Sequence, residues 1–126
     1  LGTRQWDVPG IGAEPALFGG WYAAPPPANR AEFETRYAAT YGAKPHRLAT
    51  IAYDALALAA TLARTEGGAD FSAAALTQRS GFAGHDGIFR FLPNGTAERG
   101  LAVLEVGPRA GTVVSPAPRT FAVPTY

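Results

Sequence analysis

The stretch HRLATIAYDALALAATLART, residues 46–65, predicts the longest helix of the chain and thereby decides its fold class. Apolar side chains recur in it at the three- and four-residue spacing of an α-helix. The flanks of this apolar face carry few polar residues, so we expect the helix to be buried from more than one side. The face predicted to be buried comprises Leu48, Ile51, Ala52, Ala55, Leu58, Ala59 and Leu62.

Two further helices are predicted, one on each side of this stretch. The first begins at Asn29, a residue type that caps helices, and a glutamate follows at the spacing of a capping box. It ends at Gly42, which suits the left-handed position after a helix. The second covers residues 73–78 and is capped by Asp70 or Ser72. The first of these helices carries an aromatic stripe that consists of Phe33, Tyr37 and Tyr41.

The periodicity changes from helical to alternating after Gly81. Residues 88–91, 101–106 and 112–114 are predicted as strands, and an Asn-Gly turn separates the first two. The middle strand is apolar on both faces, so we expect it to be covered on both sides. The tail through Pro124 is predicted to be extended and irregular. The sequence therefore predicts helices followed by a C-terminal set of strands.

Composition excludes several classes of protein. The 126 residues carry 11 basic and 10 acidic side chains, and this balance offers no strong field for nucleic acid or anionic lipid. The absence of cysteine excludes disulfides and thiolate metal sites. Because methionine is also absent and the chain begins at Leu1, we expect a processed or excised piece of a longer protein. The longest apolar run, residues 55–60, is too short to span a bilayer.

The titratable residues do not assemble a catalytic constellation. His46 and His85 are the only histidines, and without cysteine they make a poor metal set, so we predict structural or surface roles for them. Asp54 has no carboxylate partner at helical spacing, and we interpret it as an acceptor for a backbone amide or hydroxyl. A nucleophile elbow is absent, and the dinucleotide-binding fingerprint fails at Pro15. We therefore predict no enzymatic activity, no cofactor and no metal site.

The loop-rich segment before the helices contains one cluster that suits ligand binding, Thr3, Arg4, Gln5 and Trp6. A guanidinium can hold a carboxylate with two hydrogen bonds, and an indole offers a flat apolar surface. If the cluster follows a parallel strand, it lies at the carboxyl end of that strand, where ligands bind in open α/β sheets. The other interpretation is an ordinary surface loop in which Trp6 covers the core. The sequence leaves both open.

Taken in order, the motifs of the chain resemble the C-terminal part of type 1 periplasmic solute-binding proteins, the leucine/isoleucine/valine-binding protein family of ABC transporters. The matching motifs are Phe33-x-x-x-Tyr37-x-x-x-Tyr41-Gly42-x-x-Pro45, Ala52-Tyr53-Asp54-Ala55, Gly81-Phe82-x-Gly84-x-x-Gly87-x-Phe89-x-Phe91-x-x-Asn94-Gly95 and Leu104-Glu105-Val106. The resemblance implies the α/β fold class, as a fragment of a two-lobe fold with three hinge crossings that comprises helices plus a C-terminal set of strands. It assigns residues 1–27 to the end of one lobe and a hinge crossing, 28–80 to helices of the other lobe, and 81–126 to returning strands and a tail.

The same resemblance implies a non-catalytic periplasmic receptor that binds a small polar solute for an ABC permease, with its signal peptide outside this chain. Thr3, Arg4, Gln5 and Trp6 fall near the family's ligand-facing Gly-Pro-Glu-Gly loop. The loop has no acid before Asp7 to take an ammonium group, so an acidic or carboxylate ligand is favoured. A related branch implies an alternative, an envelope protein that activates a penicillin-binding protein. An incomplete sheet with an exposed edge also implies possible self-association.

Overall fold

The chain is described by a computed structural model over residues 1–121, so the end of the predicted tail, including Pro124, lies outside the described residues. Three short 3-10 turns come first, at Arg4–Trp6, Ile11–Ala13 and Pro15–Leu17. The helices are α1 (Pro27–Tyr41), α2 (Ala49–Ala63) and α3 (Ala73–Leu76). The strands are β1 (Trp21–Ala24), β2 (Phe82–Gly84), β3 (Gly87–Phe91), β4 (Ala97–Arg99), β5 (Ala102–Val106) and β6 (Gly111–Ser115).

The helix ends follow local chemistry. Helix α1 begins at Pro27, two residues before the predicted start, because proline fits the first turn of a helix, where no backbone N–H is needed. Asn29 therefore lies inside α1 and does not cap it. Gly42 closes α1 in the left-handed conformation, as predicted, and the Ser72 side chain caps α3. In residues 1–121 no helix is long and apolar enough to cross a membrane.

The strands form two antiparallel three-stranded sheets in the described part of the chain. The first has the order β1-β5-β6, and the second has the order β2-β3-β4. Tyr22 lies opposite Leu104 across β1 and β5, and Leu104 lies opposite Val113 across β5 and β6. Gly2 adds a parallel bridge to Tyr22, which brings the segment before Thr3 alongside β1. The three predicted strands are confirmed, whereas β2 and β4 are too short to have given a clear alternating pattern.

The first core lies on one face of the β1-β5-β6 sheet. Every second residue of β5 is buried, and the intervening Val103 and Glu105 remain partly exposed. The prediction that both faces of this strand are covered is therefore wrong for residues 1–121, since the cover lies on one side of the sheet. The buried members of this core are Tyr22, Ala24, Ala102, Leu104 and Val106, with Trp6, Ile11, Leu17 and Ala117 packed against them.

The second core lies between α2 and the β2-β3 hairpin. Leu58, Leu62 and Phe89 form its centre, and Phe82, Phe91, Ala75 and Leu76 pack around them. One stripe of α2 at four-residue spacing is buried, and it consists of Thr50, Asp54, Leu58 and Leu62.

The prediction that α2 is buried from more than one side is wrong for the described residues. Tyr53 and Leu56 are 45% and 72% exposed, and Leu48 precedes the helix and is exposed as well. The physical reason is that the β2-β3 hairpin packs against the stripe of α2 that carries Asp54, whereas the predicted face is centred on other residues. Backbone N–H groups of the hairpin turn satisfy Asp54, so a carboxylate occupies a place that periodicity assigns to an apolar side chain.

Tyr22 gives a prediction for alkaline pH. Burial, helped by the negative charge of Asp7, raises the pKa of the Tyr22 hydroxyl above its ordinary value of 10.0. Its contribution to stability is therefore complete below pH 10 and is lost as the pH rises through the raised pKa. We expect the free energy of unfolding to decline above about pH 10, and Tyr22→Phe to reduce that decline in urea titrations. The control Tyr41→Phe changes an exposed ring and should leave the decline intact; equal behaviour of the two variants would contradict the prediction.

Candidate functional site

The segment with the predicted ligand-binding residues forms a 3-10 turn beside β1. Thr3 caps this turn, because its hydroxyl accepts a hydrogen bond from the backbone N–H of Gln5 at 3.3 Å. Gly2 donates its N–H to the carbonyl of Trp21 at 2.7 Å, which ties the start of the turn to the sheet. Thr3 and Gln5 are exposed.

Trp6 points from the same turn onto the first core. Its ring lies 6.3 Å from the ring of Tyr22, centroid to centroid. The indole also packs on Gly20, where an added Cβ would come within 2.7 Å of a ring carbon. This position agrees with the interpretation of Trp6 as a cover over the core. Arg4 is the charged member of the cluster, and its guanidinium is held in a defined place.

Arg4 forms an ion pair with Asp86, a residue 82 positions away in the sequence. The Nη2 of Arg4 lies 3.2 Å from Oδ2 of Asp86. The Asp86 side chain is 4% exposed and the Arg4 side chain is 32% exposed. The carboxylate of the pair is therefore buried, whereas solvent reaches the arginine. Because only one guanidinium nitrogen meets Asp86 in this pair, Arg4 retains donors for a further acceptor.

The turn that carries Asp86 is held by the buried carboxylate of Asp54 on α2. Asp54 Oδ1 accepts from the backbone N–H of His85 at 2.6 Å, and Oδ2 accepts from that of Asp86 at 3.3 Å. The interpretation of Asp54 as an acceptor for backbone amides is therefore confirmed. Gly84 makes the approach possible, since a Cβ there would lie 2.6 Å from Oδ2 of Asp54. Gly87, at a φ of +100°, completes the turn in a conformation that favours glycine.

His85 fixes the same turn against α1. Its Nε2 lies 2.6 Å from the carbonyl oxygen of Asn29, and the Asn29 side chain donates to the carbonyl of His85 at 2.9 Å. Its ring lies 5.3 Å from that of Phe33 and 6.1 Å from that of Tyr53. These contacts agree with the predicted structural role of His85. They also explain the position of Asn29 inside α1, where its amide ties the helix to the hairpin.

A second ion pair lies next to the first. Arg30 on α1 binds Asp7 through two guanidinium nitrogens, one of them 3.0 Å from Oδ1. The hydrogen bond and charge of Asp7 raise the pKa of Arg30, with smaller contributions from the charges of Glu34 and Asp86. The guanidinium therefore stays charged, and the loop after the first 3-10 turn is tied to α1.

The 3-10 turn Arg4–Trp6 is called the Arg4 turn below. A small cavity lies where this turn, α1, the α1-α2 connection and the β2-β3 turn meet. Its volume of about 20 Å³ accommodates roughly one water molecule or one ligand oxygen. Three guanidinium groups and two carboxylates face it, so its surroundings are polar and carry both signs of charge. The lining residues are Arg4, Arg30, Phe33, Glu34, Pro45, His46, Arg47, Thr50 and Asp86. We refer to this place as the Arg4 cavity.

The Arg4 cavity includes residues that the sequence analysis did not single out for binding. Glu34 and Thr50 lie on helices, Arg47 lies in the connection between them, and Asp86 lies in the hairpin turn. Neither spacing nor type marks these residues as partners of Arg4, because the turn brings them together through tertiary contacts alone. The Gly-His-Asp-Gly run is the one sequence signal, since paired glycines mark a tight turn that can present a side chain.

A larger groove of about 340 Å³ runs between α2 and β2. Its walls are mostly apolar, and Asp54 contributes the charged group. The remaining lining residues are Ala57, Leu58, Thr61, Gly81, Phe82, Ala83 and Phe89. In residues 1–121 no group of three acidic or histidine side chains is arranged to hold a metal ion.

Comparisons with known proteins give two related folds. No family model matches the chain, and no curated protein matches it. A crystal structure of a protein described as a branched-chain amino acid ABC transporter from Rhodospirillum rubrum matches with a TM-score of 0.71 and 26% identity over 90% of this chain. The leucine binding protein LivK of Thermotoga maritima matches with a TM-score of 0.52 and 22% identity over 88% of this chain. The chain spans 36% and 35% of the lengths of these two proteins.

Proposed function

Since the chain has the fold of a fragment of a type 1 periplasmic binding protein, as its motifs predict, we propose that it belongs to a receptor that binds a small polar solute for ABC import. The observation that carries this proposal is the agreement of fold with the Rhodospirillum rubrum protein over 90% of the chain. The proposed role is non-catalytic. The proposed partners are the solute and an ABC permease. The proposed localisation is the periplasm.

The proposed organisation follows the order of the elements. Residues 1–27 end one lobe and cross a hinge, residues 28–80 supply helices of the other lobe, and residues 81–126 return as strands and a tail. Helix α1 begins one residue before the middle segment, α2 and α3 fall inside it, and β2 to β6 fall inside the last segment. On this organisation the Arg4 turn and the hairpin turn meet near the crossing, where a cleft between lobes holds its ligand.

The solute contacts expected from the sequence are Thr3, Arg4, Gln5 and Trp6. Because Trp6 covers the first core, we propose Arg4 as the main contact, with the exposed Thr3 and Gln5 beside it. Arg4 is partly exposed, and its remaining donors suit a carboxylate. Arg47 adds a second positive charge at the Arg4 cavity, and the cavity has room for one carboxylate oxygen. Glu34, at the same cavity, supplies the acid that the loop lacks before Asp7. The surroundings therefore suit either an acidic solute or the charged end of an amino acid. The alternative of a penicillin-binding protein activator has no specific observation in its favour and is not proposed.

Substitution of Arg4 tests this proposal. Binding of L-leucine, L-glutamate and succinate is measured by isothermal titration calorimetry on the receptor that contains this chain, as wild type and as Arg4→Ala. Loss of a charge-assisted hydrogen bond is worth about 1.5–3 kcal/mol, so the solute that binds best should bind about 10- to 100-fold more weakly to the variant. Arg109→Ala is the matched control, because Arg109 is exposed in the turn before β6.

Two results would contradict the proposal in different ways. If none of the three solutes binds the wild-type receptor, its proposed role in the import of L-leucine, L-glutamate or succinate fails. If one binds equally well to wild-type protein and Arg4→Ala, the receptor role stands and the assignment of the Arg4 turn as its binding site fails.

A further inference from the structure

We propose that Asp86 is a positioning residue for Arg4: the hairpin turn, fastened to α2 by Asp54, holds Asp86 so that the Arg4 guanidinium stays in place for the solute. This inference rests on the proposed function, because it assigns Arg4 to the binding site. It adds a positioning arrangement built from three residues of separate elements, Asp54 on α2, Asp86 after β2, and Arg4 beside β1.

The backbone at Asp86 is fixed from two sides. Two successive N–H groups, those of His85 and Asp86, donate to the two oxygens of Asp54. On the other side of the turn, the reciprocal hydrogen bonds between His85 and Asn29 tie it to α1. A turn held from two helices cannot shift without breaking several hydrogen bonds, so the direction of the Asp86 side chain is set.

The buried carboxylate of Asp86 needs a positively charged partner. Its side chain is 4% exposed, and a buried carboxylate without a partner costs several kcal/mol. In the described part of the chain the ion-pair partner of Asp86 is Arg4, while the neighbouring Arg30 is engaged by Asp7. The pairing is therefore selective, and Asp86 attracts Arg4 in particular.

The pairing with Asp86 orients Arg4 before a solute binds. An arginine side chain loses conformational freedom when it is fixed, and this loss opposes binding. Asp86 meets the Nη2 side of the guanidinium and thereby imposes this loss before a solute arrives. A solute carboxylate then meets a donor group that is already oriented, which strengthens binding without a new contact.

A double-mutant cycle separates positioning from direct contact with the solute. Asp86→Asn keeps the shape of the side chain and removes its charge. We expect it to weaken binding of L-glutamate, L-leucine or succinate by about tenfold in the wild-type background. In an Arg4→Ala background the same substitution should leave the affinity unchanged, because its effect passes through Arg4. An equal loss in both backgrounds would overturn the proposal, since Asp86 would then act on the solute by itself.

A measurement without solute tests the same proposal independently of the receptor role. The ¹⁵N order parameter of the Arg4 Nε–Hε group should be above about 0.6 in the wild-type protein and below it in Asp86→Asn. Arg109, exposed before β6, serves as the mobile reference. An unchanged Arg4 order parameter would overturn the proposal even if solutes bind, whereas absence of binding with a lowered order parameter would overturn the proposed function alone. Should Asp86→Asn fail to fold, Asp86→Ser offers a smaller neutral side chain with the same backbone hydrogen bond to Asp54 and the same expected result.

Discussion

Asp54→Ala is expected to lower the free energy of unfolding by about 2–4 kcal/mol, because it leaves one buried and one partly buried backbone N–H group without an acceptor. Asp54 is 3% exposed, so its carboxylate is shielded from solvent in the wild-type protein. The loss should extend beyond α2. The hairpin turn between β2 and β3 depends on these hydrogen bonds, and Phe89 at the centre of the second core follows that turn directly.

Urea unfolding monitored by circular dichroism measures this effect. Glu66→Ala is the matched control, since it also removes a carboxylate but from an exposed position after α2. The control should change the free energy of unfolding by no more than about 0.5 kcal/mol. A change of that small size for Asp54→Ala would show that the turn does not need its carboxylate acceptor. It would also remove the basis for the fixed orientation of Asp86.

Leu104→Ala is expected to lower the free energy of unfolding by about 2–5 kcal/mol through the cavity that it leaves in the first core. Leu104 is 2% exposed at the centre of β5. It lies opposite Tyr22 on β1 and Val113 on β6, so its side chain contributes to the packing that joins all three strands of this sheet. The expected effect is therefore loss of the whole sheet in a single transition.

The control for Leu104→Ala is Val114→Ala on the neighbouring strand. Val114 is 45% exposed, so its truncation removes little buried apolar surface. We expect a difference of at least about 2 kcal/mol between the two variants in urea unfolding. Equal losses would mean that the β1-β5-β6 sheet is not organised around the buried face described for β5.

Local signals in the sequence predicted much of the fold. Gly42 at a helix end, Ser72 at a helix start and the Asn-Gly turn before β4 each depend on a few neighbouring residues, and each lies where the sequence predicts it. The series of motifs also predicted the family of folds, because its spacings extend over most of the chain. Asp54 was predictable for a general reason: a carboxylate in an apolar helix must find hydrogen-bond donors.

The arrangement of the candidate site could not be predicted in the same way. Asp86 meets Arg4 across 82 positions, and periodicity carries no information about such a contact. The buried stripe of α2 was predicted only in part for a related reason. Leu58 and Leu62 are buried as predicted, whereas the alanines of the predicted face, Ala52, Ala55 and Ala59, are exposed. Hydrophobicity favours alanine and leucine as buried residues, whereas the hairpin turn selects the face that carries Thr50 and Asp54.

The central claim, that the Arg4 turn binds the solute of a periplasmic receptor, is tested most directly by NMR. The Arg4 Nε–Hε resonance of the wild-type protein is followed while L-leucine, L-glutamate or succinate is added, with Arg109 as the internal reference. A solute that binds by calorimetry is expected to shift the Arg4 resonance in a saturable way and to leave the chemical shift of Arg109 unchanged. Saturable binding with no change at Arg4 would contradict it.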